Sequence, residues 1–258
     1  MATPERNPVK SKPLLEVSLD SVESAIAAEH GGASRVELCA NLPEGGTTPS
    51  AGMIATVRKE THIALHVMIR PRAGDFCYSA REFEVMKRDV LMAKQLRVDG
   101  VVLGILKPDG TVDVGRTREL VALARPVTVT FHRAFDMAVN LPQALEAVIE
   151  TGAARILTSG GEPKVENAIG IIQSLMRAAG NRIGIIVCGG IREHNIKQIV
   201  DTTGVREVHV GHSGVEVTVE SEMRHRKESL SMGTVAGREY ERFVVSEERV
   251  RSLVRALD

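Results

Sequence analysis

The chain contains no tryptophan, and aromatics make up only 3% of its 258 residues. A stacking surface for single-stranded nucleic acid needs more flat side chains than that. Net charge is also missing, because 33 Lys+Arg balance 33 Asp+Glu. No broad basic footprint for nucleic acid or an acidic membrane is therefore expected. Cysteines number three, Cys39, Cys77 and Cys188, and are far apart, without Cys-x-x-Cys or Cys/His finger spacing. That excludes a disulfide framework and a structural zinc knuckle. No apolar run approaches the roughly 20 residues of a membrane span. The first residues, MATPERNPVKSKP, are polar and lack the apolar core of a signal peptide. The expected setting is reduced and cytoplasmic, with a small molecule or metal ion as partner.

What the chain does have is rhythm. Its hydrophobic fraction of 43% is enough for a sizeable core. Short apolar runs begin near Leu14, Arg35, Ala64, Gly100, Val127, Arg155, Ile183 and Glu207. The steps between them, shortest from Leu14 to Arg35 and longest from Ala64 to Gly100, each hold a strand, a helix and two short loops. Asp20 with Glu23, and Ser79 with Glu82, read as helix starts, and Gly31-Gly32, Gly152, Gly180 and Gly204 as helix stops. Strands alternating with helices pair in parallel. The fold class is thus α/β, a closed parallel (β/α)8 barrel of the TIM type, with an open doubly wound sheet as the rival. No Gly-x-Gly-x-x-Gly follows the first strand, which weakens a dinucleotide-binding version of that rival. Residues 1–13 read as a flexible tail and 14–258 as one domain. The polar stretch 212–243, after the eighth strand, reads as a long loop or lid. A last helix near Ser246 to Leu257 closes the ring.

In such barrels the site lies where the strands end. Those ends carry Glu16, Glu37, Arg70 with Arg72, His132 with Arg133, Thr158, Gly189-Gly190 and His209. Alternation puts Glu16 with Ser18 on one face, Glu37 with Cys39, and Thr128 with Thr130 and His132. Charged groups in an apolar mouth must be paired or bind something. One reading makes Glu16, Glu37, Arg70 and His132 a working pocket. The plainer one makes Glu16 and Glu37 a buried network with Arg70 or Arg133, and His132 a core histidine. Arg72, Arg133, Thr158, Gly189 and Gly190, with Arg192, form a candidate anion site, because glycine backbone N–H groups after strands six to eight approach phosphates closely. Cys77 and Cys188 read as packing residues and His66 as structural. His194, His212 and His225 read as solvated.

Longer motifs go further. Glu37-Leu-Cys followed by Glu44-Gly-Gly-Thr-Thr-Pro-Ser50, Met68-Ile-Arg-Pro-Arg72 with Gly74-Asp-Phe, and Thr130-Phe-His-Arg-Ala-Phe-Asp136 resemble the CutC family over nearly the whole chain. With them go Glu16 to Ser21 and Leu157 to Gly160. The resemblance implies a cytosolic TIM-type barrel, a homodimer or higher homo-oligomer, associated with copper homeostasis. It also implies copper, as Cu(I), held by cysteines of the first two strands. Those positions here are Ser18 and Cys39, so one thiolate of the pair is missing. Cys39 would then bind with Cys77, a methionine or a histidine. Three roles stay open: a Cu(I)-binding homeostasis protein, a barrel enzyme for a small anionic or phosphorylated metabolite, and a scaffold for subunit contacts.

Overall fold

Strand β1 (Leu14–Leu19) lies between β2 (Arg35–Leu38) and β8 (Glu207–Val210), and that second pairing closes the ring. The structure, a computed structural model, describes residues 12–227, 230 and 239–257. Residues 1–11 of the expected tail lie outside the described residues. Between β2 and β8 come β3 (Ala64–Met68), β4 (Gly100–Leu103), β5 (Thr128–Phe131), β6 (Arg155–Thr158) and β7 (Gly184–Val187). Among the described residues these eight form one closed barrel in sequential order, each pair parallel. The open-sheet rival is excluded.

The strands are short, β-branched and buried on both sides, as parallel strands under a helical layer must be. One face of each packs outward against helices α1 (Val22–His30), α2 (Ala51–Glu60), α3 (Ala80–Gln95), α4 (Val114–Ala124), α5 (Leu141–Thr151), α6 (Ile169–Ala179), α7 (Ile196–Thr203) and α8 (Glu247–Ala256). Helix α3 illustrates the local logic. Ser79 and Glu82 close a capping box, and Phe83, Met86, Val90 and Ala93 bury one stripe at helical spacing. At α1 the cap is Ser21, not Asp20, because the Ser21 hydroxyl accepts the Ser24 N–H. Gly152 and Gly204 end α5 and α7 with φ of 81° and 76°, a region that favours glycine.

Across the polar stretch 212–243 and just past its end, β9 (Glu216–Glu220) and β10 (Glu241–Val245) pair antiparallel. Residues 228–229 and 231–238 of that stretch lie outside the described residues. The Val245 N–H donates to the Ser24 hydroxyl, fixing the hairpin to α1. No helix among the described residues is long and apolar enough to cross a membrane.

The inner face of the barrel is polar at its lower end. Register sets Glu16 beside Arg35 and His209, and Glu37 beside His66. Glycine at 100 is required there, since a Cβ would stand 2.4 Å from the His66 ring.

Candidate functional site

Above that layer, strand ends converge on one pocket of about 310 Å³. Ser18 reaches it from β1, Glu37 and Cys39 from β2 and its end, Met68 from β3, Arg70 from the loop after β3, and His209 from β8. His132, Arg133, Cys188, Gly189 and Gly190 come from the loops after β5 and β7. Separate segments thus meet at one mouth.

Its floor is an ordered chain of charge. Glu16 is 1% exposed and accepts from Arg35, whose other arm donates to Glu207 at 2.7 Å. His209 Nδ1 lies 2.7 Å from Glu16 Oε1, and His209 Nε2 lies 4.0 Å from Glu37 Oε2. Burial alone would raise the Glu16 pKa, but the His209 hydrogen bond and the charges of Arg35, His209 and His66 outweigh it and hold it well below the carboxylate range. Glu37 faces a basic group at longer range, the His209 Nε2 at 4.0 Å. Burial pushes Glu37 up to about 7; His209 pulls against this and the Glu16 charge adds to it. Burial lowers His209, yet Glu37 and Glu16 win and raise it. The Glu37 proton is therefore exchangeable near neutral pH.

The partners of these acids correct the sequence reading. Glu16 pairs with Arg35 rather than Arg70 or Arg133, because Arg35 stands opposite it in register. Arg70 instead donates to the carbonyls of Glu44, Gly46 and Gly74 at 2.9, 2.8 and 2.8 Å, fastening two loops beneath the mouth. Arg133 sits at the rim, 2.8 Å from both Asp136 and the Ser159 hydroxyl. Arg72 does not line the pocket; it pairs with Asp75 and Glu82 at 3.0 and 2.6 Å. Thr158 donates to Asp136 at 2.5 Å and also stays off the lining. His132 is buried, and its Nδ1 accepts the Ala134 N–H at 3.1 Å. Burial, then the Arg70 charge, pushes His132 down to about 3, so it is neutral. Burial likewise takes His66 to about 4. His194 and His225 are exposed, and the His212 side chain lies outside the described residues.

Three contributors escaped the sequence reading. Arg35 opens its strand, below the ends where sites are sought, although its spacing of two from Glu37 puts both on one face. Phe76 lies 4.9 Å from the His132 ring and 5.2 Å from the Arg70 guanidinium. Asp136 accepts the N–H groups of Ser159 and Gly161, each at 3.1 Å, and so shapes the loop after β6.

Two donor sets for a metal stand in this mouth. Glu16, Glu37 and His209 bring ligand atoms within 4.8 Å of one another, a hard set. Arg35 already neutralises Glu16 there. The soft set is Cys39, which packs with Met68, Leu42 and Val102 in one cluster. Its thiol donates to Glu37 Oε2 at 3.7 Å, and burial, with the Glu37 charge, holds the proton on. Cys77 lies outside the pocket, and burial raises the Cys188 thiol on the far cluster of Leu157 and Ile186. On the Cys39 side of the pocket the soft donors are one thiol and one thioether, Cys39 and Met68.

A (β/α)8 barrel with a polar, carboxylate- and imidazole-bearing mouth is the class defined by this geometry. The chain belongs to the CutC family, whose model matches residues 13–214. A CutC family protein of Chromobacterium violaceum is 47% identical over 245 residues, covering 95% of this chain and 98% of that one. The human copper homeostasis protein cutC homolog is 44% identical over 241 residues, covering 93% and 87%. A crystal structure of CutC from Streptococcus agalactiae superposes with a TM-score of 0.73 at 36% identity, over 77% of this chain and 98% of that chain.

Proposed function

We propose that this chain acts in copper homeostasis, the role named for its human and mouse relatives, by holding Cu(I) as cargo in the barrel mouth. Cys39 is the anchoring ligand, with the Met68 thioether beside it. The observation that carries this reading is the packing of these two sulfur side chains together on the pocket lining. Cu(I) selects such soft donors over carboxylates and water. Binding expels the thiol proton, so affinity rises with pH. The setting is the reducing cytoplasm, where Cys39 stays a free thiol, and a homodimer or higher homo-oligomer belongs to the same proposal.

The test is a titration of reduced protein with Cu(I) against a competing chromophoric chelator. One ion per chain is expected, and Cys39→Ala should abolish it. Undiminished affinity in that variant would overturn the assignment.

A second reading rests on the rim. Arg133, Arg192 and the positive-φ Gly189 and Gly190 (93° and 70°) surround the same opening. In that reading the protein is an enzyme for a small anionic or phosphorylated metabolite, whose charge these groups receive.

A further inference from the structure

Among the described residues, buried side-chain atoms without a hydrogen-bond partner include His132 Nε2, and His132 lines the pocket at 3% exposure. Its tautomer follows from its other nitrogen. Nδ1 accepts the Ala134 N–H, so Nε2 carries the hydrogen and is a donor. An unmade buried donor is costly, and native proteins keep few of them without a purpose.

The surroundings hold this donor in place. Gly104 leaves the seat for the ring, since a Cβ there would stand 2.6 Å from His132 Nδ1. Phe76 lies against the imidazole, and the Arg70 guanidinium lies over the Phe76 ring, 5.2 Å from its centroid. Arg70 is itself 5% exposed and bound to three carbonyls, so its charge is fixed in position. At the rim, Arg192 donates to the Ile191 carbonyl at 2.8 Å and to the Ser213 hydroxyl at 3.4 Å, which holds its guanidinium on the pocket lining.

We propose that the His132 Nε2–H, backed by the Arg70 charge and the Phe76 ring, receives an oxygen of a small organic oxyanion. The ligand class is a hydroxy- or oxo-carboxylate, or its phosphate-ester counterpart, with its second polar end toward Arg192. The inference deepens the small-anion reading and rests on it. Because burial and Arg70 keep the imidazole neutral, it remains a fixed donor across physiological pH rather than a titrating charge.

The experiment uses the full chain and three probes: hydroxypyruvate, dihydroxyacetone phosphate and inorganic phosphate. Affinities come from isothermal titration, and the His132 ring nitrogens are followed by ¹⁵N NMR. The Nε2–H tautomer is expected before addition, with an Nε2 shift when a carbon-bearing probe binds. His132→Phe keeps the ring shape and loses the donor, and should weaken binding about 10- to 100-fold. His132→Gln, which restores an N–H near the same point, should recover most of it. Gly104→Ala, which pushes the ring, should weaken binding as His132→Phe does. Tighter binding of dihydroxyacetone phosphate marks the phosphate ester as the source of the oxyanion, and tighter binding of hydroxypyruvate marks the carboxylate. Binding unchanged in a folded His132→Phe protein overturns the inference and leaves the small-anion reading standing. Failure of the wild-type chain to bind any of the three probes overturns both.

Discussion

His209 Nδ1 stands 2.7 Å from Glu16 Oε1, although 193 residues of chain separate them. That contact joins the first strand to the eighth and places an imidazole between two carboxylates. Its lower neighbour, the Arg35–Glu16 pair, is almost fully buried on both sides.

Removing one partner of a buried pair leaves the other charge uncompensated. Arg35→Met should therefore lower unfolding free energy by about 3–5 kcal/mol, read by urea denaturation monitored by far-UV circular dichroism. A loss below about 1 kcal/mol would place this pair among ion pairs of negligible weight.

Glu37 gives a pH signature of the opposite sign to that of an ordinary paired acid. Its folded pKa of about 7 lies above the ordinary glutamate value of 4.5, so the native state binds more protons between these two values. The contribution of Glu37 to stability is therefore full below pH 4.5 and falls as pH climbs through 7. Glu16 runs the other way: its depressed pKa contributes above the unfolded value and is lost as pH falls toward the folded one. Denaturation midpoints of Glu37→Gln against wild type, from pH 4.5 to 7.5, should show the downward slope removed. An unchanged slope would mean that Glu37 is ionised across the window.

Gly100 and His66 form a size-matched pair. An alanine at 100 would place its Cβ against the ring at 2.4 Å, and such overpacking costs about 1–3 kcal/mol. The double variant Gly100→Ala, His66→Ala should recover part of that loss in a thermodynamic cycle, whereas strictly additive effects would show that the ring does not need the glycine.

Ser18 lines the same pocket as Cys39. Ser18→Cys should tighten Cu(I) binding in chelator competition, since a second thiolate completes a soft pair. Equal affinities in the two proteins would remove position 18 from the copper site.

Much of this was written in the order of residues. Eight β-rich runs spaced by helix-length segments contain the barrel, and Ser79 with Glu82 announces α3 because a capping box is a local event. The mouth followed from strand ends alone for Glu37, Arg70, His132 and His209. The pairing of charges did not, because register between strands decides it. Arg70, at a strand end, looked like an acid's partner, and only its hold on the carbonyls of Glu44, Gly46 and Gly74 shows that it is spent on loops. Arg72 failed as a pocket residue for a similar reason: β3 ends at Met68, and four positions beyond it alternation no longer says where a side chain points. The hairpin of β9 and β10 was hidden by its polar composition, since a solvated two-stranded ribbon buries too little to show an apolar pattern.

The join between β1 and β8 has a consequence for when the site can exist. Glu16 and Glu37 leave the ribosome early, while His209 arrives after most of the chain has been made. Until that late strand docks, the early acids have no imidazole between them and the pocket has no eighth wall. Assembly of the ring and arrival of its chemistry are thus a single event, and a molecule that springs open along this line loses its mouth at the same moment.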